Sequence, residues 1–345
     1  MSGGLVLTAV LEHSLRLHGG LGQRVLVAVS GGADSVSLLR ASVEISARCG
    51  LTTVAAHFDH GLRGPESTAD AIWVQELAQS LGIDCQVGRA DAAPLDVVTG
   101  VEERARNLRY AFLRQVAEQE QCPLVLTAHT ADDQAETVLH HLLRGTGWAG
   151  LRGIPPERRL TETIRLIRPL LAVSREDVFA YLAELGQEFR VDSSNADVSL
   201  TRNSLRREIL PLLRERFNPR VSEALCSLSE LAAETDACLG ELAEQFLAES
   251  LLESSADRVT LDLERLRASP ELLLRELLRR LWVRQGWSRQ DLGRKQLQRT
   301  AAAIRAGGAV DAFDLPGGVR ATGRGGVLQL QRNAGKPSGS GVENP

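Results

Sequence analysis

The chain has 345 residues, 43% hydrophobic and 24% charged, a balance that fills a core of ordinary size and favours two domains over one. No run of eighteen apolar residues occurs, and Glu12, His13, Arg16 and His18 interrupt the amino-terminal apolar positions. That excludes a spanning helix and a signal peptide, so the expected location is the cytoplasm, with no membrane partner. Lys295 and Lys336 are the only lysines among 40 basic residues; Schiff-base chemistry before residue 290 and a lysine-bearing P-loop are thereby excluded. Cys49, Cys85, Cys122, Cys226 and Cys238 form no C-x-x-C pair, so they read as free thiols rather than a zinc, disulfide or redox framework.

The net charge of −4 is unevenly spread: residues 1–143 carry 10 basic and 17 acidic groups, 144–220 carry 14 and 10, and 221–345 carry 16 and 17. Residues 269–305 hold nine basic groups against three acidic ones, a local excess suited to a polyanion.

In chain order, Val25–Val29, Thr52–Phe58, Ile83–Val87 and Leu124–Ala128 are short, nearly continuous apolar runs, as strands covered on both faces are. Helical patterns at about 34–48, 67–81, 101–120 and 131–144 separate and follow them. Strict alternation predicts an α/β fold, a parallel sheet wrapped by helices, with sites at the carboxyl ends of the strands. Gly145–Pro156 reads as a hinge, Thr163–Arg168 as a further strand, and 174–186 and 202–217 as helices. A long Ala/Leu/Glu-rich helix over 219–252 leads into a second, smaller, mainly helical domain, with helices at about 270–285 and 290–306. Pro316-Gly317-Gly318 and Arg324-Gly325-Gly326 supply the turns of a terminal hairpin. The expected organisation is 1–218, 219–332 and a disordered tail over 333–345.

Ser30-Gly31-Gly32-Ala33-Asp34-Ser35 ends the first strand and opens a helix. Glycines permit a tight turn that presents N–H groups, and a helix amino end favours anions, so the loop suits a phosphate; a capped strand-to-helix turn is the plainer alternative. Asp34 either caps that helix or holds a magnesium ion. His57-Phe58-Asp59-His60 ends the second strand. Arg106 and Arg109 lie three apart on the 101–120 helix and share a face with Glu102, a spacing that by itself favours a solvated, salt-bridged face. The fourth strand runs into His129, Asp132, Asp133 and Glu136; helix-dipole complementarity alone welcomes acids there, but successive strand ends carry the polar groups of a metal–nucleotide site.

SGGADS resembles the pyrophosphate loop of the PP-loop ATP pyrophosphatases. Joined in order by HFDHGLRG, ARNLRY, TAHTADDQAET, the RPLL at 168–171, the turn Asp192-Ser193-Ser194-Asn195 and Arg202-Asn203 with Arg206, it closely resembles the tRNA(Ile)-lysidine synthetases over roughly residues 24–216. The resemblance implies an adenine nucleotide alpha-hydrolase-like fold. It also implies ATP-dependent ligation of free L-lysine to the wobble cytidine of a CAU-anticodon isoleucine tRNA, through an adenylated cytidine, with AMP and pyrophosphate released.

On matching positions it implies ATP binding by Ser30, Gly31, Gly32, Ala33, Asp34, Ser35, His57 and His129, and Mg²⁺ held by Asp34 with Asp132 or Asp133. Arg106, Arg109, His129 and Arg202 would act with Asp34 in catalysis, and Asp59, Asp133 and Glu136 would receive lysine. Arg206, Arg207, Arg279 and Arg280 are the expected tRNA contacts. Longer members carry a further carboxy-terminal domain for which this chain has no room, and a homodimer is the default assembly. A tRNA cytidine thiolase is the nearest rival and ought to show paired cysteines; an amide-forming synthetase would need no RNA face; a non-catalytic RNA-binding module has no use for the strand-end motifs.

Overall fold

The computed structural model describes residues 3–61, 64–90, 101–190, 201–288, 292–306 and 310–332. The tail at 333–345, the turn at 192–195 and Arg63 of the HFDHGLRG run lie outside the described residues. The chain divides into two compact units, Met1–Ala232 and Ala233–Pro345.

The first unit opens with α1 (Gly3–Leu17), whose Leu7, Leu11 and Leu15 repeat every fourth residue and are fully buried. Then follow β1 (Arg24–Ala28), α2 (Ala33–Cys49), β2 (Thr52–Asp59), α3 (Pro65–Ser80), β3 (Asp84–Arg89), α4 (Val101–Gln119), β4 (Leu124–Leu126) and α5 (Ala131–Leu143). After the short α6 (Trp148–Leu151) come β5 (Glu157–Arg159), β6 (Arg165–Ile167) and α7 (Arg175–Glu184). The 202–217 pattern is one helical run with a π turn at Leu205–Ile209 between α8 (Thr201–Ser204) and α9 (Leu210–Arg216). Thus the expected alternation is present, with α1 and β5 added.

The sheet order is β3-β2-β1-β4-β6-β5. All pairs are parallel except β5 with β6. Succession runs one way from β1 to β3 and the other way from β4, so the strand order reverses beside β1, where open α/β sheets bind ligands at their carboxyl edge. Val25, Val27 and Ala55 bury against a core that includes residues of α1, α2 and α7. Leu26, Val54 and Val125 point the other way, into a core shared with Tyr110, Leu113 and Val116 of α4. The two-residue period of β1 therefore serves both helix layers.

α10 (Val221–Ser250) contains the boundary between the units. The second unit continues with β7 (Leu251–Ser254), β8 (Arg258–Asp262), α11 (Leu263–Ala268), α12 (Glu271–Arg284), α13 (Arg294–Arg305), β9 (Val310–Leu315), β10 (Val319–Arg324) and β11 (Val327–Arg332). The single hairpin expected here is part of a five-stranded antiparallel sheet, β7-β8-β11-β10-β9. Two glycine-bearing turns make three strands, and β8 adds Val259 and Leu261 to the same buried face as Leu328 and Leu330. Gly325 and Gly326, with φ of 59° and 76°, close the β10–β11 hairpin as the two central residues of a tight turn that requires left-handed backbone. Trp282 and Trp287 meet edge-on at 4.9 Å in the core between sheet and helices. No described helix is long and apolar enough to cross a membrane.

Candidate functional site

The SGGADS loop is tied by its own serines. The Ser30 N–H donates to Ser35 Oγ at 3.1 Å, and the Ser35 hydroxyl donates to the Gly32 carbonyl at 3.0 Å. Gly31 has φ of 94°, a left-handed value that L side chains rarely adopt. Gly32 is the N-cap of α2 and places no side chain over its first amides. A free helix amino end beside two hydroxyls is a phosphate-binding arrangement. His57 is 5% exposed, and its Nδ1 lies 2.8 Å from the Val29 carbonyl, joining the ends of β2 and β1 below the loop.

Beside the loop stands a carboxylate cluster. Arg175, at the start of α7, puts Nη2 3.4 Å from Asp34 Oδ2 and 3.3 Å from Asp133 Oδ1, and Nη1 3.6 Å from Glu136 Oε1. Arg206 Nε lies 3.7 Å from the same Glu136 oxygen. Asp133 does two things at once: Oδ2 accepts the Thr130 N–H at 2.9 Å in a capping box, while Oδ1 faces Arg175. Helix capping and site chemistry thus share one residue, each using a different oxygen. Asp34 Oδ1 is buried without a hydrogen-bond partner. Burial pushes the Asp34 carboxyl above its usual range, Arg175 opposes this and Asp133 adds to it.

Asp132 is not in that cluster. Its Oδ1 accepts from Arg214 at 2.9 Å and its Oδ2 accepts the Arg175 N–H at 2.8 Å, so it anchors α9 and the start of α7. Of the two aspartates named beside Asp34, Asp133 is the one that shares the Arg175 guanidinium with it. Asp59 likewise stands apart from Asp133 and Glu136: it accepts the Gly61 N–H at 2.7 Å, lies 3.5 Å from Arg89, and sits on the β3 side of β1 while α5 follows β4 on the other side.

A cationic group forms the other half. The guanidinium carbons of Arg158, Arg106 and Arg109 lie 5.0, 5.4 and 5.8 Å from the ring centroid of Tyr110 on α4. Arg168, at the end of β6, faces the same phenol and donates to the Pro155 carbonyl at 2.6 Å. His129, at the end of β4, has Nδ1 3.2 Å from the Thr127 hydroxyl. Burial first, then Arg168, bring its pKa down to about 4; Asp133 opposes them, and Arg109 and Arg106 add smaller downward pulls. At neutral pH it is an uncharged imidazole between an acidic and a basic half.

The solvated-face alternative for Arg106 and Arg109 accounts for neither their shared ring nor the burial that lowers the Arg109 pKa. Arg206 faces Glu136, and Arg207 is exposed. Arg279 and Arg280 both donate to the buried Glu276, at 2.8 Å each through Nε, so part of their charge is answered within α12. On α13, Arg294, Lys295 and Arg299 are exposed and have no ion-pair partner among the described residues. The side chain of Arg202, on α8, lies outside the described set. Sequence reasoning missed Arg175, Arg158 and Tyr110; only the position of Arg175 directly after a Ser174 N-cap, at the mouth of a helix, was readable locally.

All five thiols are free. Burial raises Cys85, Cys122 and Cys226 to about 11, which leaves them unreactive. Among the described residues no group of three His, Cys, Asp or Glu side chains forms a metal cage.

Residues 10–213 match the PP-loop domain family. The tRNA(Ile)-lysidine synthase of Deinococcus radiodurans is 48% identical over 224 residues, 65% of this chain and 36% of the relative. That of Thermosynechococcus vestitus is 40% identical over 255 residues, 74% of this chain and 71% of the relative. The chain therefore spans about a third of one relative's length and more than two thirds of the other's. Among solved structures, a U34-tRNA thiolase from Methanococcus maripaludis with its [4Fe-4S] cluster superimposes with a TM-score of 0.55 at 16% identity, over 67% of this chain and 80% of that one, a likeness of fold alone. The fold, the order of the strand-end motifs and this degree of identity agree that the chain belongs to the tRNA(Ile)-lysidine synthase family of PP-loop proteins.

Proposed function

We propose that this chain uses ATP to activate the wobble cytidine of a CAU-anticodon isoleucine tRNA and joins free L-lysine to it. The observation that carries this reading is the two-sided site. Asp34, Asp133 and Glu136 bring three carboxylates against the two guanidiniums of Arg175 and Arg206, leaving one negative charge for an incoming cation. The arginines around Tyr110 lie on the other side of His129 and suit phosphate.

The SGGADS loop would hold the leaving pyrophosphate on its N–H groups and on the Ser30 and Ser35 hydroxyls. The cytidine carbonyl oxygen then attacks the α-phosphate, and the bond to pyrophosphate breaks. Arg109 and Arg106 would offset charge on the transferred phosphoryl group, with Arg202 as a further candidate. His129, held neutral, would hydrogen-bond to the phosphate or the activated ring without adding charge. Asp133 and Glu136 would orient lysine through its non-reacting ammonium group while its other amine, unprotonated, displaces AMP from the ring carbon and loses a proton to solvent.

Mg²⁺ commonly binds through one or two carboxylates together with substrate phosphates, and the orphaned buried oxygen of Asp34 beside Asp133 fits that demand. Bound there, it would neutralise charge on the nucleotide phosphates. In the second unit Arg294, Lys295 and Arg299 are the proposed tRNA backbone contacts, with Arg207 in the first.

The test is incubation with ATP, Mg²⁺, labelled lysine and unmodified CAU-bearing isoleucine tRNA, with an elongator methionine tRNA as control. Label fixed on the isoleucine tRNA alone, with AMP and pyrophosphate released, is the expected result. Pyrophosphate release with another acceptor and no label would discard the specificity.

A further inference from the structure

Four arginines gather around a single phenol ring, and their charge is unanswered. Elsewhere in the first unit Arg24 is matched by Glu120, Arg190 by Asp70, Arg214 by Asp132, and Arg175 and Arg206 by the acidic cluster. Among the described residues, Arg106, Arg109, Arg158 and Arg168 have no carboxylate partner. Arg168 is 3% exposed and Tyr110 8%. The Nε of the first and the hydroxyl of the second are both buried with no hydrogen bond of normal geometry.

Burying Arg168 and half-burying Arg109 beside two exposed arginines, with no acid paired to them among the described residues, is costly. Burial together with the neighbouring arginines holds Arg109 and Arg168 below the usual arginine range. Stacking on Tyr110 and the Pro155 carbonyl fix the geometry of this collar. Among the described residues nothing supplies it with an anion.

We propose that the collar is a phosphate site separate from the SGGADS loop, and that it takes a phosphodiester of the substrate RNA next to the base being modified. The proposal rests on the RNA-modifying reading above. The loop opens α2, on the sheet face built from Val25, Val27 and Ala55; the collar stands on α4, on the face built from Leu26, Val54 and Val125. Two phosphate receptors thus approach one carboxyl edge from opposite faces. A base drawn out of a single-stranded loop is reached by ATP from one side only if its backbone is held from another. Arginine forks match phosphate oxygens, and Arg158, exposed on the edge strand β5, leaves the collar open to a polymer.

The experiment uses Arg158→Gln in the full chain, repeated with Arg158→Ala at the same exposed position. Binding of unmodified CAU-bearing isoleucine tRNA is measured across salt concentrations, and ATP affinity is measured separately. Losing one single-strand phosphate contact is expected to cut the log–log salt slope by about 0.7 and to weaken binding about fourfold at roughly 0.15 M salt. ATP affinity and the thermal midpoint stay unchanged. A salt slope equal to that of the unsubstituted chain overturns the site. Weaker ATP binding with unaltered RNA binding overturns the RNA assignment. Lysine incorporation is scored in parallel: a chain that binds tRNA with a collar-dependent slope but incorporates nothing refutes the proposed reaction and keeps the collar. Incorporation with an unmoved slope keeps the reaction and refutes the collar.

Discussion

Arg175→Ala removes the one guanidinium shared by Asp34, Asp133 and Glu136, at 3.4, 3.3 and 3.6 Å, and leaves them only Arg206 at 3.7 Å. A unit pair near 4 Å interacts by about 4 kcal/mol at an effective dielectric of about 20. Desolvation of the ions offsets much of that, and breaking a buried pair costs about 3–5 kcal/mol in practice. With the arginine 16% exposed and Arg206 still present, the lower end applies, about 3 kcal/mol. For a unit of this size each kcal/mol moves Tm by about 2–4 °C, so calorimetry at pH 7 should show a fall of roughly 6–12 °C.

The loss has a predictable pH dependence. Asp34 already has a raised pKa, so between its unfolded and folded values the native state binds more protons, and stability falls as pH rises through that window. Without Arg175 the carboxyl rises further, the window widens upward, and the deficit shrinks on acidification. Arg175→Lys keeps a charge without the fork and should recover part of the loss. A Tm for Arg175→Ala within a degree of the unsubstituted chain, flat with pH, would refute the account of Arg175 as the cation that holds this cluster together.

Asp133→Asn retains an oxygen for the Thr130 cap but loses the charge, so KM for lysine should rise at least about tenfold, a 1.4 kcal/mol effect, while α5 stays folded; unchanged lysine dependence in steady-state kinetics would remove Asp133 from the amine site. The imidazole of His129 should titrate at about 4 by NMR. Its lowered pKa means the unfolded state binds the extra proton between there and the ordinary histidine value of about 6.5, so stability rises with pH across that window, and His129→Gln should flatten the rise; a titration near 6.5 would contradict it. Charge reversal of Arg294, Lys295 and Arg299 should weaken tRNA binding and flatten its salt dependence. Arg279→Ala should instead lower stability, because it strips the buried Glu276 of a partner; equal salt slopes in the first variant would exclude the α13 face.

What the sequence made legible was whatever lies close along the chain. VLVA and TTVAAHF are apolar on both faces and so read as interior parallel strands, and SGGADS and TAHTADD mark strand ends by their turn and cap chemistry. Two glycine turns were visible near the carboxyl terminus, but β8, with its buried Val259 and Leu261, was not, because strand pairing of this kind depends on partners far away in sequence. The site divides in the same way. Asp133 was found from its spacing, whereas choosing it over Asp132 required Arg175, which is 42 residues from Asp133 and 141 from Asp34. Periodicity read Arg279 and Arg280 as a basic surface, yet Glu276 three and four residues earlier is on the same helix face and takes both.

The arginines at 106, 109, 158 and 168 differ from that case: only the fold brings an edge strand, a strand end and a helix to one tyrosine. A count of basic residues therefore says little about where a polyanion binds. The useful quantity is which cations the folded chain leaves without a carboxylate, and among the described residues these include the collar of the first unit and the exposed face of α13 in the second.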